Sequence, residues 1–222
     1  MRTHLSNRCR VHHCSKPSAS RFSPYCHRHK SIHRRQGAPD QTAITITELR
    51  PFRDRVLARI ASNETSPLWA HLEDRWITIV SEAKTDAKRS VGNRYQRSAA
   101  YEFINISMDC DPRQIIVTTL AMFVLWHDMP WRFRSDAAFR IQLARRVRAL
   151  SGRHSGQVYD HRTGKQKRIY REMTPKAGNI IGQKLSSAFG ATGFQLALLD
   201  KRAREDALKA QDAIATALKE LQ

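Results

Sequence analysis

Cysteine and histidine side chains are concentrated near the N-terminus at spacings that suit a metal ion. Four residues separate Cys9 from Cys14, eleven follow before Cys26, and His29 comes three positions later. Zinc is held by four thiolate or imidazole ligands in a tetrahedron, and two pairs of ligands close in sequence can supply them. These four residues are therefore predicted to bind Zn²⁺. Four protein ligands leave no open position, so the predicted site is structural rather than catalytic.

Neighbouring histidines leave the choice of ligands open. His12, His13, His27 and His33 lie close to the predicted ligands, and His12 or His13 could replace Cys9. A segment of about thirty residues buries too little apolar area to fold alone, so metal binding would supply its folding energy. The alternative is a disordered basic arm in which the cysteines and histidines are incidental.

The motifs around these ligands resemble those of a known group of zinc fingers. Within residues 8–40, the runs Cys-Arg-Val-His-His-Cys, Tyr-Cys-His-Arg-His-Lys and Arg-Arg-Gln-Gly-Ala-Pro are similar to the small treble-clef-like fingers of phage and mobile-element proteins. The resemblance implies metal on Cys9, Cys14, Cys26 and His29, and fingers of this kind often precede HNH nuclease or recombination-related modules. The loop from Cys14 to Cys26 is longer than in the compact versions. We identify no resemblance in residues 41–222.

The charge of the chain indicates a polyanionic partner. Its 222 residues include 39 Lys and Arg against 20 Asp and Glu, for a formal net charge of +19. A positive field of this size favours a polyanion or an acidic surface, and nucleic acid is the commonest such partner. Residues 1–39 contain nine Lys and Arg, six His and no acidic residue. The alternative is a protein that is basic without a polyanionic ligand.

A second concentration of cations lies in residues 132–171, which contain twelve Lys and Arg. Its densest part is a predicted hairpin, where Tyr159 and Tyr170 lie among the basic residues, a mixture that suits phosphate contact and stacking. A solvated basic loop is the alternative. The predicted nucleic-acid-binding residues are Arg28, Lys30, Arg34, Arg35, Arg145, Arg148, Arg162, Lys165, Lys167, Arg168, Arg171 and Lys176. The predicted ligand is double-stranded DNA, with RNA as the alternative.

The elements that position these residues are predicted to be mainly α-helical. We expect an N-terminal zinc module (1–40), a helical domain (41–150), a basic hairpin-helix region (151–198) and a C-terminal helix (199–222). Helix-start signals occur at Thr47, Ser66-Pro67, Asp111-Pro112 and Thr174-Pro175, and Gly190 is a predicted C-cap. Gly164 suits the hairpin turn. The predicted buried side chains include four tryptophans and one cysteine, namely Trp69, Trp76, Trp126, Trp131 and Cys110.

The last segment has the pattern of a pairing helix. Apolar residues recur along one face at Leu199, Ala203, Ala207, Ala210, Ile214, Ala217 and Leu221, and five basic residues balance five acidic ones from Asp200 onward. This pattern predicts packing or self-association rather than contact with a polyanion.

No catalytic motif is recognised. The chain has no P-loop, Rossmann glycine pattern or nucleophile elbow. Helix starts and turns account for Asp109, Asp111 and Asp128. The sequence predicts a DNA-binding accessory or regulatory factor of a phage or mobile element and no enzymatic activity; the alternative is a nuclease or recombinase whose active site is not recognised.

The sequence also predicts where the protein acts. Residues 1–36 lack the apolar core of a signal peptide, and the apolar stretch Ile115 to Trp126 is too short to span a bilayer. We therefore expect a cytoplasmic, nucleoid-associated protein that does not bind membranes.

Overall fold

The computed structural model describes residues 8–152, 156–169 and 172–220, except for the side chains of residues 167–169 and 217–220. The fold is mainly α-helical, as predicted. The helices are α1 (His27–Gln36), α2 (Ile46–Ala61), α3 (Leu68–Lys88), α4 (Arg94–Asp109), α5 (Pro112–Asp128), α6 (Asp136–Arg148) and α7 (Pro175–Glu220), with a 3-10 turn at Pro130–Arg132. Strands β1 (Gly156–Asp160) and β2 (Lys165–Ile169) form a two-stranded antiparallel hairpin.

Local capping explains most helix starts. Asp111 accepts a hydrogen bond from the Arg113 N–H, and Pro112 opens α5 as predicted. The predicted cap at Thr47 is wrong, because the hydroxyl of Thr45 accepts from the Glu48 N–H while the Glu48 carboxylate accepts from the Thr45 N–H. This reciprocal pair satisfies two backbone donors that a helix terminus otherwise leaves free. Pro51 consequently lies inside α2 rather than in its first turn.

Helix α5 is the centre of the core. Every residue from Ile115 to Leu125 is buried, and α2, α6 and α7 pack around the helix. Trp69 and Trp76 are buried and Trp126 is partly buried, as predicted. Cys110 is also partly buried at the edge of this core. The prediction for Trp131 is wrong: it lies on the 3-10 turn with 67% of its surface exposed.

Helix α7 runs through the glycine that was predicted to end it. It contains 46 residues and is about 69 Å long. Gly190 is wrongly predicted as a C-cap, because it lies within the helix and faces the Phe123 ring. Gly182 and Gly193 allow α7 to approach the backbone of Arg140 and the side chain of Phe123 so closely that an added Cβ would overlap them. The packed part of α7 extends to Ala197, and residues 201–216 are all exposed.

The hairpin follows the predicted pattern. Asp160 pairs with Lys165 at its tip, and Gly164 has a positive φ of 65°. None of the helices in the described part of the chain combines the length and apolarity needed to cross a bilayer.

Candidate metal centre and basic surfaces

A tight backbone knuckle brings the first two cysteines together. Arg8 pairs with Pro17 in an antiparallel bridge, and the Cys9 N–H donates to the Lys16 carbonyl at 3.0 Å. The Cys14 N–H donates to the Val11 carbonyl, which closes a turn between the two cysteines. His13 takes a left-handed conformation in this turn, with a φ of 58°.

The second pair of candidate ligands lies at the start of α1. Cys26 is the N-cap residue, and His29 lies in the first turn. Residues three apart lie on the same face of a helix, so the thiol and the imidazole point to the same side. A thiolate is also favoured near a helix N-terminus by the helix dipole.

The four candidate ligands converge on one point. The Sγ of Cys9 lies 3.3 Å from His29 Nδ1, and the Sγ of Cys26 lies 3.5 Å from the same nitrogen. The Sγ atoms of Cys14 and Cys26 are 4.0 Å apart. A tetrahedron with Zn–S bonds of about 2.3 Å has S···S edges of about 3.8 Å. The donor set and its spacing therefore fit a four-coordinate zinc ion bound through His29 Nδ1.

The thiols in this cluster perturb one another. Desolvation raises the pKa of Cys9, but hydrogen bonds from the backbone at Cys26 and Val11 and from His29 outweigh it and lower the pKa to about 6. A backbone hydrogen bond at Lys16 lowers the pKa of Cys14, yet desolvation and the Cys9 and Cys26 thiols give a net rise. Three thiolates this close repel one another, and a divalent cation would remove that repulsion.

The other histidines make different contacts. His12 and His13 pack edge to face, with ring centroids 3.9 Å apart, and His33 packs against Tyr25. His27 is exposed on α1. Within residues 8–152, 156–169 and 172–220, the group of side chains that could hold a metal consists of Cys9, Cys14, Cys26 and His29.

The module is joined to the helical body by a close backbone contact. Gly37 ends α1 with a φ of 92°, and a Cβ there would lie 2.7 Å from Ala138 Cα. Ala38, Gln41 and Ile44 in the segment that follows are buried. The predicted boundary segment is thus anchored to the start of α6.

Two buried glutamines strengthen this attachment, and nothing in the sequence pattern singles them out. Gln142 accepts from the Ile44 N–H and donates to the carbonyl of Gln36 at 3.0 Å. Gln41 accepts from the Arg134 N–H and donates to the Arg132 carbonyl. Gln142 thus satisfies a backbone group of the connecting segment, and Gln41 satisfies backbone groups beside the 3-10 turn; burial would otherwise leave these groups unpaired.

The predicted cations of the module lie on α1. Arg28, Lys30, Arg34 and Arg35 are exposed, and this helix has no acidic residue to balance them. None of the ten residues of α1, all within the described part, is buried. The side of α1 that carries Arg28, Lys30 and Arg34 is therefore open to an anion.

Three predicted cations from distant positions meet where α1 contacts α6. We call Arg35, Arg145 and Arg148 the arginine cluster. Arg35 pairs with Glu172 at 2.9 Å, and Arg148 pairs with Glu102 at 2.9 Å. Arg145 donates to the Arg35 carbonyl. Among the described residues, Arg145 has no carboxylate within ion-pair distance.

The charge of Arg145 is therefore poorly compensated. Desolvation lowers its pKa, Glu172 opposes that shift, and Arg148 and Arg35 add to it. Arg146, which the sequence analysis did not select, behaves in the same way: desolvation and Arg145 lower its pKa while Glu48 opposes them. Half-buried cations without a close counterion favour the approach of an anion.

The remaining predicted cations are spread over the hairpin and α7. Arg162 and Lys165 are exposed at the hairpin tip, and Tyr159 is 51% exposed beside them. Lys176 lies 5.0 Å from the centre of the Tyr95 ring. The side chains of Lys167 and Arg168, and the whole of Tyr170 and Arg171, lie outside the described residues.

An ion-pair clamp that the sequence analysis missed involves one of the three aspartates. The Asp128 carboxylate accepts from Arg55 at 2.7 Å and from Arg204 at 3.1 Å, and Arg55 also contacts Asp200. Desolvation raises the pKa of Asp128, but Arg55, His127 and Arg204 outweigh it and hold the pKa below its usual value. The clamp fixes α7 where it leaves the body.

Comparison of the chain with protein-family models, curated proteins and solved structures found no match.

Proposed function

We propose that this protein binds double-stranded DNA and that a structural zinc ion holds its N-terminal module. Cys9, Cys14, Cys26 and His29 would fill all four positions of the metal, so the metal would supply folding energy rather than an open coordination site. The module then presents the cations of α1 at a fixed place on the helical body.

The observation that carries the proposal is the arginine cluster. Residues 35, 145 and 148 converge although more than a hundred positions separate the first from the others, and none of the described carboxylates lies within ion-pair distance of Arg145. The cluster includes Arg35 of α1, a helix that also exposes Arg28, Lys30 and Arg34 and has no acidic residue. Phosphate groups of a nucleic-acid backbone are the anions that such a surface suits, because arginine donates to them in a fixed, two-pronged geometry.

A biological role follows from the resemblance of residues 8–40 to phage and mobile-element fingers. We propose an accessory or regulatory factor of such an element, acting at the nucleoid in the cytoplasm. We also propose that the exposed half of α7 pairs with a second copy.

The proposal is tested by salt-titrated binding of the full chain to a labelled 20-base-pair duplex, with structured RNA as competitor. Neutralised phosphates release counterions, so we expect affinity to fall by about 10³- to 10⁵-fold between 50 and 200 mM salt if six to ten phosphates are contacted. Affinity that does not change with salt would contradict the proposal. RNA that competes better than DNA would assign the protein to RNA, and nicking of supercoiled DNA with Mg²⁺ would indicate a nuclease or recombinase.

The hairpin is tested in the same assay by replacing Lys165, Lys167 and Arg168 together with Ala. If all three contact phosphate, the salt slope should fall by about three units, with weaker binding to every sequence. The matched control replaces Lys201, Arg202 and Lys209 with Ala, which removes the same charge from the exposed part of α7. Equal losses in the two variants would show that net charge alone, rather than the hairpin, sets the affinity.

A further inference from the structure

The loop between Cys14 and Cys26 forms a pocket on the zinc module. The Arg10 N–H donates to the Pro24 carbonyl at 2.9 Å, and the Ala19 N–H donates to the Tyr25 carbonyl at 2.8 Å. These bonds fold the loop back over the knuckle, and an open pocket of about 310 Å³ lies beside them. That volume is at the lower end of the range of about 300–1,000 Å³ for small-ligand pockets.

The pocket is lined by cations. Arg8, Arg10 and Arg21 line it, and Arg8 and Arg10 are exposed. The whole segment of residues 1–39 has no acidic residue. Residues 1–39 therefore bring no carboxylate to the pocket, and its electrostatic preference is for an anion such as phosphate.

The pocket also contains an exposed aromatic ring, that of Phe22. Phe22 lines the pocket and is 82% exposed, more than the other exposed large apolar side chains of the described residues. The Arg21 guanidinium lies 4.4 Å from the centre of this ring. An aromatic ring with an adjacent guanidinium is the combination on which unpaired nucleobases stack in single-strand-binding proteins.

A polar group in the pocket wall completes the set. Ser18 lines the pocket, and its Oγ is buried and has no hydrogen-bond partner in the described part of the chain. Buried hydroxyl groups in proteins are normally hydrogen-bonded. The pocket wall therefore contains a polar group whose hydrogen-bonding capacity the described residues do not use.

We propose that this pocket binds one unpaired nucleotide, with its base on Phe22 and Arg21 and its flanking phosphates on Arg8 and Arg10. The inference rests on the proposed nucleic-acid binding and makes its ligand more specific: a duplex that contains a gap, a bulge or a single-stranded end. A free phosphate would bind the arginines but would make no contact with the aromatic ring. An apolar ligand would contact the ring and make no use of the arginines.

The test compares two DNA ligands, an intact 20-base-pair duplex and the same duplex with a one-nucleotide bulge of 2-aminopurine. The fluorescence of 2-aminopurine falls when it stacks on an aromatic ring. We expect the full chain to quench the probe and to bind the bulged DNA more tightly than the intact duplex. Stacking of one base corresponds to roughly a 5- to 150-fold difference in affinity.

The decisive variant is Phe22→Ala, which should abolish the quenching and the preference for bulged DNA while leaving affinity for the intact duplex unchanged. Phe22→Trp should preserve both. Trp131→Ala is the matched control, because Trp131 is also an exposed aromatic residue but lies on the helical body. Since Phe22 is exposed, the variant should keep its metal content and circular dichroism spectrum.

The outcomes separate this inference from the proposed function. Full-chain protein that binds neither DNA would overturn both. Protein that binds both DNAs equally without quenching, or whose preference survives Phe22→Ala, would overturn the pocket alone and leave DNA binding in place.

Discussion

The four candidate metal ligands are positioned by backbone hydrogen bonds more than by packing. Cys9 and Cys14 are fixed by the knuckle bonds to Lys16 and Val11, and Cys26 is fixed as a helix cap. These hydrogen bonds lie within the module and do not depend on the packing of an apolar core. We therefore expect the fold of the module to depend on a metal ion bound by these ligands, whereas the body has a separate core around α5.

Replacing one ligand tests this dependence. We expect the full chain to contain one zinc per molecule and Cys14→Ser to contain none, with loss of structure confined to the module. The main unfolding transition should remain cooperative and shift by no more than about 4 °C, or roughly 1 kcal/mol for a chain of this size. Elemental analysis and thermal unfolding followed by circular dichroism provide the readouts.

Cys110→Ser is the matched control for this substitution. Cys110 lies at the end of α4, outside the ligand cluster, so this variant should keep its zinc. Retention of zinc by Cys14→Ser, or collapse of the whole transition, would contradict the separation of module and body.

Residue types predicted the metal cluster better than they predicted burial. Ligand spacing is a local property, and thiols five positions apart can meet in a single turn. Burial depends on which elements meet. Trp131 is exposed because the 3-10 turn holds it at the surface, and Gln142 is 1% exposed because the segment after α1 passes over it. The surroundings of Trp131 and Gln142 in the fold cannot be predicted from the residues next to them in the sequence.

At the scale of elements, start signals were more reliable than stop signals. Asp111-Pro112 specifies a helix start in two ways: the Asp111 side chain accepts a hydrogen bond from a backbone N–H, and the ring of Pro112 fixes its φ at a helical value. A glycine near the end of a helical pattern is ambiguous, because it serves either as a C-cap or as a site of close packing. Gly190 faces the Phe123 ring within an unbroken helix, so packing between α5 and α7 decided the outcome.

Two glycine substitutions in α7 test this packing. Gly190→Ala should raise stability by about 0.5–1 kcal/mol, because alanine favours the helix and its Cβ would lie 3.4 Å from the nearest atom of Phe123, an ordinary contact. Gly182→Ala should lower stability by about 1–3 kcal/mol, because its Cβ would overlap the Arg140 backbone. Urea unfolding of both variants measures the difference. A destabilised Gly190→Ala variant would instead support a helix end at that glycine.

At the scale of the whole molecule, charge and apolar surface are segregated. Basic residues dominate the module and the hairpin, whereas the exposed part of α7 is balanced, with five basic and five acidic residues from Asp200 onward. The sequence alone predicted this division, because the net charge of a segment depends only on the residues that it contains. How far the helix extends beyond the body could not be predicted, because that depends on where the α5, α6 and α7 contacts stop.

The exposed half of α7 should contribute to association and little to folding. Residues 205–216 are exposed, and steps of four, three and four residues place Ala203, Ala207, Ala210 and Ile214 on one face, a spacing that suits pairing with another helix. Ending the chain after Arg204 removes the part of α7 that follows residue 204. It keeps Asp200 and Arg204 in the clamp with Arg55 and Asp128. We expect the shortened chain to unfold within about 0.5 kcal/mol of the full monomer, since the lost side chains are at the surface.

Sedimentation equilibrium should show a mass that rises with concentration for the full chain and stays monomeric for the shortened one. The control is Ile214→Asp in the full chain, which keeps the length but places a charge on the apolar face, and it should also be monomeric. If both full-length proteins are monomeric at every concentration, the helix does not pair with a second copy. If the shortened chain loses its cooperative transition, contacts beyond Arg204 hold the body together, which would contradict the exposed geometry of this segment.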